Sequence, residues 1–305
     1  MDVAQSEVLS PQALAAAPDC VSLMSDAQSI AGARCIHTDF DINAASLAAD
    51  DANSVFYAVA RNQDPGREPR AILGVEIADK LERGWLRGPF VASAPAATRE
   101  RFAAAADPAL RALLAHAGGR ARQFDAFVET SHVRALEWYA DNGFTPVRKH
   151  RNYIVRREDA RYQAVAAAAP PDSSMVEAIS ALASRAFPGG YLTHEDFAAP
   201  PNEEAITLAL AEGNDLLGYM RASYEPGATE VFIDNLAVSE QVRRRGIGRQ
   251  LLNAALHWAF ETRAAPQVGL TVKEGNTNAE RLYMSAGFEL LAEGQHLRRI
   301  VGASD

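Results

Sequence analysis

Cysteine is nearly absent. The 305-residue chain has two, Cys20 and Cys35. Two thiols are too few for the disulfide framework of a small secreted scaffold or for a cysteine-rich metal site, so reduced, partly buried thiols and no metal are expected. Long apolar runs are absent too. Without a stretch of about 18 apolar residues, no membrane-spanning helix is expected. The first residues, Met1-Asp-Val-Ala-Gln-Ser-Glu7, have no basic region followed by an apolar one, so no secretory leader is expected and a cytoplasmic location is the default. Positive charge is in deficit, with 30 Lys and Arg against 39 Asp and Glu and a formal net charge of −9. That balance argues against nucleic acid or an anionic membrane as the main partner. What is present, 48% hydrophobic and 23% charged residues, suits a globular protein. The length suits two domains of about 150 residues.

The most informative stretch is Arg243-Arg244-Arg245-Gly246-Ile247-Gly248-Arg249. An alternating, β-branched run at 231–238 precedes it. Leu251, Leu252, Ala255, Leu256, Ala259 and Phe260 follow at helical spacing. The order is strand, glycine-bearing turn, helix. Outward N–H groups at such a turn, with the positive end of the helix dipole, make an anion seat. Gly246 and Gly248 let a phosphate approach the main chain, and the arginines supply charge suited to its oxygens. The plain alternative is a helix N-terminus with a solvated basic turn, because a short Gly-x-Gly pattern is a weak signal alone.

The chain also repeats itself. His132, Ala135, Tyr139, Gly143 and Phe144 lie over Asn276, Ala279, Tyr283, Gly287 and Phe288 at an offset of 144 positions. The same offset lays Ile72-Leu73-Gly74 over Leu216-Leu217-Gly218 and strand 124–129 over 268–273. Farther upstream the offset becomes 151, a difference that the loop 63–69 accounts for. The second half reads as strand 161–168, helices 173–187 and 195–199, strands 205–211, 215–224 and 229–238, helix 245–262, strand 267–273, helix 277–285 and closing strands 288–300. The first half offers strands near 54–61, 71–79 and 84–92 and a helix near 96–117. The fold class is therefore α/β, of the α+β kind: two tandem domains, 1–157 and 158–305, each a mixed, mostly antiparallel twisted sheet flanked by helices. The halves differ at the turn. Gly246 falls on Phe102, Gly248 on Ala104 and Arg243 on Arg99, so a phenyl ring stands where a phosphate would meet backbone.

At this point the residues resemble the GNAT superfamily of acyl-CoA-dependent N-acyltransferases. One fingerprint is Arg243-Arg-Arg-Gly246-Ile-Gly248 after a strand. The second is Asn276, Ala279, Leu282-Tyr283 and Gly287-Phe288. The first half keeps only the second fingerprint and resembles a degenerate domain. The tandem arrangement resembles double-domain members of the mycothiol synthase type. The resemblance implies acetyl-CoA as co-substrate, its pyrophosphate on the turn 243–249 and its pantetheine arm paired with Leu236, Ala237 and Val238 as an added strand. It also implies a backbone N–H near Val238 polarising the thioester carbonyl, and direct attack by a primary amine of a small-molecule or peptide acceptor, helped by positioning. Monomer and homodimer both remain open.

The resemblance makes Tyr283 the general acid, since a phenol is protonated at neutral pH; the alternative is one more core aromatic. Asn276 would bind the cofactor arm, or cap the following helix. A Glu that some members carry five positions before Asn276 is Thr271 here. Strand alternation puts Glu230, Phe232 and Asp234 on one face, so Glu230 or Asp234 could serve as general base or simply face solvent. Tyr219 and Tyr224 are candidate acceptor-pocket walls, on the strand before. The loop that carries Phe187, Tyr191 and His194 sits where acceptor specificity resides in the family, with His194 read as a loop residue. An acyl-CoA sensor without turnover is the competing function; retention of Asn276 and Tyr283 favours the enzyme.

Overall fold

The computed structural model describes residues 5–30, 34–35, 42–61, 68–92, 96–163, 168–224 and 229–301. Much of the loop at 63–69 and half of the strand expected at 161–168 lie outside the described residues; the described half, 161–163 and 168, is not strand. The chain forms two compact units: Met1–His150 with Ala292–Asp305, and Arg151–Leu291.

In the first unit the order is β1 (Gln5–Leu9), α1 (Pro11–Ala15), α2 (Pro18–Ser29), α3 (Ala44–Ala49), β2 (Val55–Arg61), β3 (Pro69–Ala78), β4 (Arg83–Val91), α4 (Arg99–Ala117), β5 (Gln123–Glu129) and α5 (Val133–Asp141). Strand β6 (Thr145–Arg156) leads into the second unit. There follow α6 (Ser173–Ala186), α7 (His194–Ala198), β7 (Ala205–Glu212), β8 (Asp215–Ser223), β9 (Glu230–Val238), α8 (Ile247–His257), β10 (Gln267–Lys273), α9 (Thr277–Ser285) and β11 (Glu289–Ile300). The first unit's strands run β1-β2-β3-β4-β5-β11, and the second's run β6-β10-β9-β8-β7.

Each unit is a mixed, mostly antiparallel sheet flanked by helices. One parallel pair, β4–β5 or β9–β10, is bridged by a long helix, as a parallel crossover requires. In the second unit that helix is α8. Leu251, Leu252, Ala255 and Leu256 are buried against Met220, Ala222, Val231 and Ile233 of the sheet. Each buried leucine contributes about 1.5–3 kcal/mol.

The repeat divides the chain at 157/158, whereas the compact units exchange their closing strands. β11 runs antiparallel to β5, from Gly294 opposite Glu129 to Ile300 opposite Gln123. Residues of β6 from Arg151 on belong with β10, where the Thr271 hydroxyl donates to Asn152. The physical reason at β5 is a buried charge. Asp125 is fully buried and receives His296 at 2.6 Å, Arg298 at 2.8 Å and Arg83 at 2.5 Å. Burial opposes its charge, but these bonds hold its carboxyl well below the usual range. Two of these three partners lie on β11.

Both parallel ladders are short. β4 and β5 pair only from Arg83–Gln123 to Leu86–Ala126. β9 and β10 pair only from Glu230–Gln267 to Ile233–Leu270. Beyond those points the strands part and each sheet opens. The matching registers also correct the offset between the halves: it is 144 at β5 and β10 but 147 at β4 and β9, so Arg87 is the counterpart of Asp234.

Candidate active site

The opening in the second unit starts at a β-bulge. β8 and β9 slip register between Arg221, opposite Asn235, and Ala222, opposite Ile233, which leaves Asp234 as the extra residue. Before the bulge Val231 and Ile233 pack toward α8; after it Leu236 and Val238 do so, while Ala237 joins the α6 side. The alternation expected from sequence therefore holds only up to Ile233.

Asp234 lies on the α6–α7 side. Its Oδ1 accepts from the Tyr191 hydroxyl at 2.9 Å and from Ser223 at 3.1 Å. Its Oδ2 is buried without a hydrogen bond, 4.0 Å from Nε of Arg221. Burial pushes the carboxyl up to about 6, with Tyr191, Arg221 and Ser223 pulling the other way. Glu230 sits elsewhere, at the closed end of the ladder opposite Gln267. Its carboxylate lies over Gly269, where an added Cβ would meet Oε2 at 3.0 Å. Of the two candidate pocket tyrosines, Tyr219 shares the Asp234 side, against Phe197 with ring centroids 5.3 Å apart. Tyr224 packs on the α8 side, under the Arg263 guanidinium. His194 meets Ser180 of α6 at 3.2 Å. Thr271 is exposed and bonded to Asn152.

The far end of the opening is the glycine turn. Ser239 N–H donates to Leu217 O. With Tyr219 opposite Ala237 and Gly218 opposite Val238, that bond directs the main-chain groups of Ala237 at β8 and those of Leu236 and Val238 toward the open side. Arg244 and Gly246 both take positive φ, 65° and 81°. Gly246 caps α8 with no side-chain partner. The N–H groups of residues 244–249 donate to no backbone carbonyl among the described residues. A run of outward amides at a helix N-terminus is a phosphate seat. A Cβ on Gly246 would meet nothing within 4 Å, so its requirement is conformational. Gly248 is packed instead, its Cβ direction 3.3 Å from Leu282 and 3.7 Å from Val238. That contact joins the open edge of β9, the first turn of α8 and helix α9. Arg249 adds a bond to Ser285 of α9. Arg243 and Arg245 are exposed, paired with Glu240 and Glu212. Ile247 is buried.

Tyr283 follows Leu282 on α9. It is 7% exposed and meets Phe288 edge to face at 5.7 Å. Burial pushes its hydroxyl up to about 12, so it keeps its proton at neutral pH. Asn276 is exposed and caps α9, its Oδ1 accepting from Ala279 N–H at 3.4 Å. Tyr191, Ser223 and Arg221 form the surroundings of Asp234, and sequence reasoning did not find them. Only the position of the α6–α7 loop hinted at Tyr191. Among the described residues no group of three or more His, Cys, Asp or Glu is placed to hold a metal, and no helix is long and apolar enough to cross a membrane.

The first unit differs at each of these points. Helix α4 begins at Arg99, capped by the Thr98 hydroxyl, so the segment matching the glycine turn is wound into its first helical turn. Phe102 is buried beside His132 and Trp138. Tyr139 is buried, and its hydroxyl donates to Gly88 O at 2.8 Å. Between the parted strands lies the chain's own segment Arg34–Cys35. Cys35 bridges to Val128, Glu129 N–H donates to Arg34 O, and Gly88 N–H donates to the Cys35 sulfur at 3.0 Å. The Gln28 amide holds Cys35 at both N–H and C=O.

The opened mixed sheet, with its glycine turn running into α8, is the fold of a GNAT acetyltransferase domain. Residues 176–288 match the Acetyltransferase (GNAT) family model. Aminoglycoside N(6')-acetyltransferase type 1 of Klebsiella aerogenes is 29% identical over 101 residues, which are 31% of this chain and 66% of that relative, just short of two thirds. Among solved structures, a GCN5-related N-acetyltransferase from Sphaerobacter thermophilus superposes with a TM-score of 0.67 at 17% identity, over 97% of this chain and 95% of its own. A tandem GNAT protein from the clavulanic acid biosynthesis pathway does so with a TM-score of 0.63 at 14% identity, over 99% and 100%. Those two likenesses are of fold. The family model spans little more than a third of this chain, and acetyltransferases of that family use acetyl-CoA as co-substrate.

Proposed function

We propose that the second unit transfers an acetyl group from acetyl-CoA to a primary amine of a small-molecule or peptide acceptor by direct attack. The observation that carries this reading is Asp234: a buried carboxylate with one unpaired oxygen, set in the bulge where β9 leaves β10. Bound acetyl-CoA supplies an activated acyl thioester. The amides of residues 244–249 and the side chains of Arg243, Arg244 and Arg245 hold the pyrophosphate. Leu236 and Val238 offer main-chain groups to the pantetheine arm, and Asn276 has its amide Nδ2 left for the same arm. The Val238 N–H polarises the acyl carbonyl. With its carboxyl near 6, Asp234 is ionised at pH 7 and takes the ammonium proton. Tyr283 returns a proton to the departing thiolate. Glu230, at the closed end of the ladder, is the second candidate base and acts only through water.

The first unit, on this reading, takes no acyl-CoA. Its turn is helical, Pro89 stands at the register position of Leu236 without an N–H, and Arg34–Cys35 fills the place of the arm. Narrower versions of the acceptor are an aminoglycoside amine, as in the Klebsiella relative's name, and a mycothiol-synthase-like acceptor. The test is release of free CoA when purified protein, acetyl-CoA and a panel of such amines are mixed. Acetyl-CoA binding with no release on any amine would favour a sensor and overturn the enzyme.

A further inference from the structure

We propose that Tyr191, on the loop between α6 and α7, is the positioning residue of Asp234, fixing Oδ1 and leaving Oδ2 as the oxygen without a donor. The proposal rests on the reading of Asp234 as proton acceptor. The loop is pinned on both sides of Tyr191. Phe187 and Leu192 pack against the cluster of Val176, Ile179 and Phe197. Gly190 N–H closes a turn on Phe187 O at 2.9 Å, and Thr193 caps α7 reciprocally with Asp196. Tyr191 itself is 49% exposed, yet its hydroxyl reaches a carboxylate that is 7% exposed. The ring is thus the cover of an otherwise buried acid.

The charged and polar groups around Asp234 come from three other elements: Tyr191 on the loop, Arg221 and Ser223 on β8, and Asp196 on α7. Their arrangement is lopsided. Both hydroxyl donors go to Oδ1, and none goes to Oδ2. Arg221 is held away, its Nη1 donating to Asp196 O at 3.0 Å and to Thr207 at 3.4 Å, which leaves Nε 4.0 Å from Oδ2. A carboxylate oxygen with no donor keeps its lone pairs for a new proton, while its partner oxygen is fixed in direction. Donors to the charged form also favour ionisation. Tyr191 therefore does two things: it orients the free oxygen and keeps burial from raising the carboxyl out of working range.

The test is Tyr191→Phe, which removes one hydroxyl at a half-exposed position. Carbon-detected NMR titration of aspartate carboxyls in the full chain should place Asp234 about one pH unit higher than in the wild type, about a tenfold change in proton affinity. Ser223→Ala should move it in the same direction by less. With any amine that supports CoA release, the acid limb of kcat/KM should move up by the same amount while the KM for acetyl-CoA stays put. An unchanged Asp234 titration in Tyr191→Phe overturns the proposal. The parent reading fails by a different result: Asp234→Asn retaining the wild-type acid limb would mean that another group takes the proton.

Discussion

The buried carboxylate of Asp234 has a cost that Asp234→Asn should reveal. Burial raises it from an aspartate's ordinary 3.8 to about 6. A group whose folded value is raised contributes its full stability below the unfolded value, near pH 4, and loses it as pH rises through about 6. Each unit is worth about 1.4 kcal/mol, so the ionised side chain costs the folded chain about 3 kcal/mol at pH 8. An asparagine never ionises. Its Oδ1 can keep the bonds from Tyr191 and Ser223, but its Nδ2 replaces Oδ2 beside Arg221 and finds no acceptor there, at a cost of about 1–2 kcal/mol. The variant should thus be about 1–2 kcal/mol more stable than wild type at pH 8 and less stable by a similar amount at pH 4. Urea unfolding of both proteins across that range should show the two curves crossing near pH 5, about midway between the unfolded and folded values, with CoA release lost throughout. Parallel pH dependence in the two proteins would refute the reasoning, because it would mean that Asp234 does not titrate differently in the folded chain.

Removing the phenol in Tyr283→Phe should lower kcat tenfold or more and leave acetyl-CoA affinity nearly intact; equal turnover would remove Tyr283 from its role as acid. At the glycine turn, Gly246→Ala meets no atom but must hold φ at 81°, so about 1 kcal/mol of stability should go. Gly246→Phe puts a ring among the outward amides and should abolish binding by calorimetry, and unchanged affinity would contradict the phosphate seat. Native mass spectrometry should find one acetyl-CoA per chain, none in Gly246→Phe, and two would show that the first unit opens. Cys35, 3% exposed, should react with thiol reagents only as fast as that unit unfolds.

Much of this architecture is local and was legible. The stripe from Leu251 to Phe260 marks α8 because one helix face must be apolar to pack on a sheet. Helix α9 falls at Thr277–Ser285, as Asn276 and the Gly287-Phe288 pair indicate. The glycine turn was legible because a positive φ is cheap only where a side chain is missing. Arg244, at φ 65°, was not, since nothing in an arginine announces a left-handed backbone. The bulge at Asp234 was hidden for a related reason: one extra residue is visible only against the partner strand, so alternation places Asp234 on the face opposite Ile233, as found, but would put Leu236 and Val238 on the wrong face.

Sequence by itself determined most of the elements, the repeat, and the two fingerprints of the second unit, because periodicity, turn chemistry and motif spacing are written within about thirty residues of chain. Tertiary structure alone decided three things. It brought β11 to β5 through Asp125, laid Arg34–Cys35 into the opening of the first unit, and carried Tyr191 from the α6–α7 loop onto the carboxylate of Asp234. Each is a pairing between residues far apart in the chain, chosen by which buried hydrogen-bonding groups must be satisfied and not by any local preference of the residues themselves.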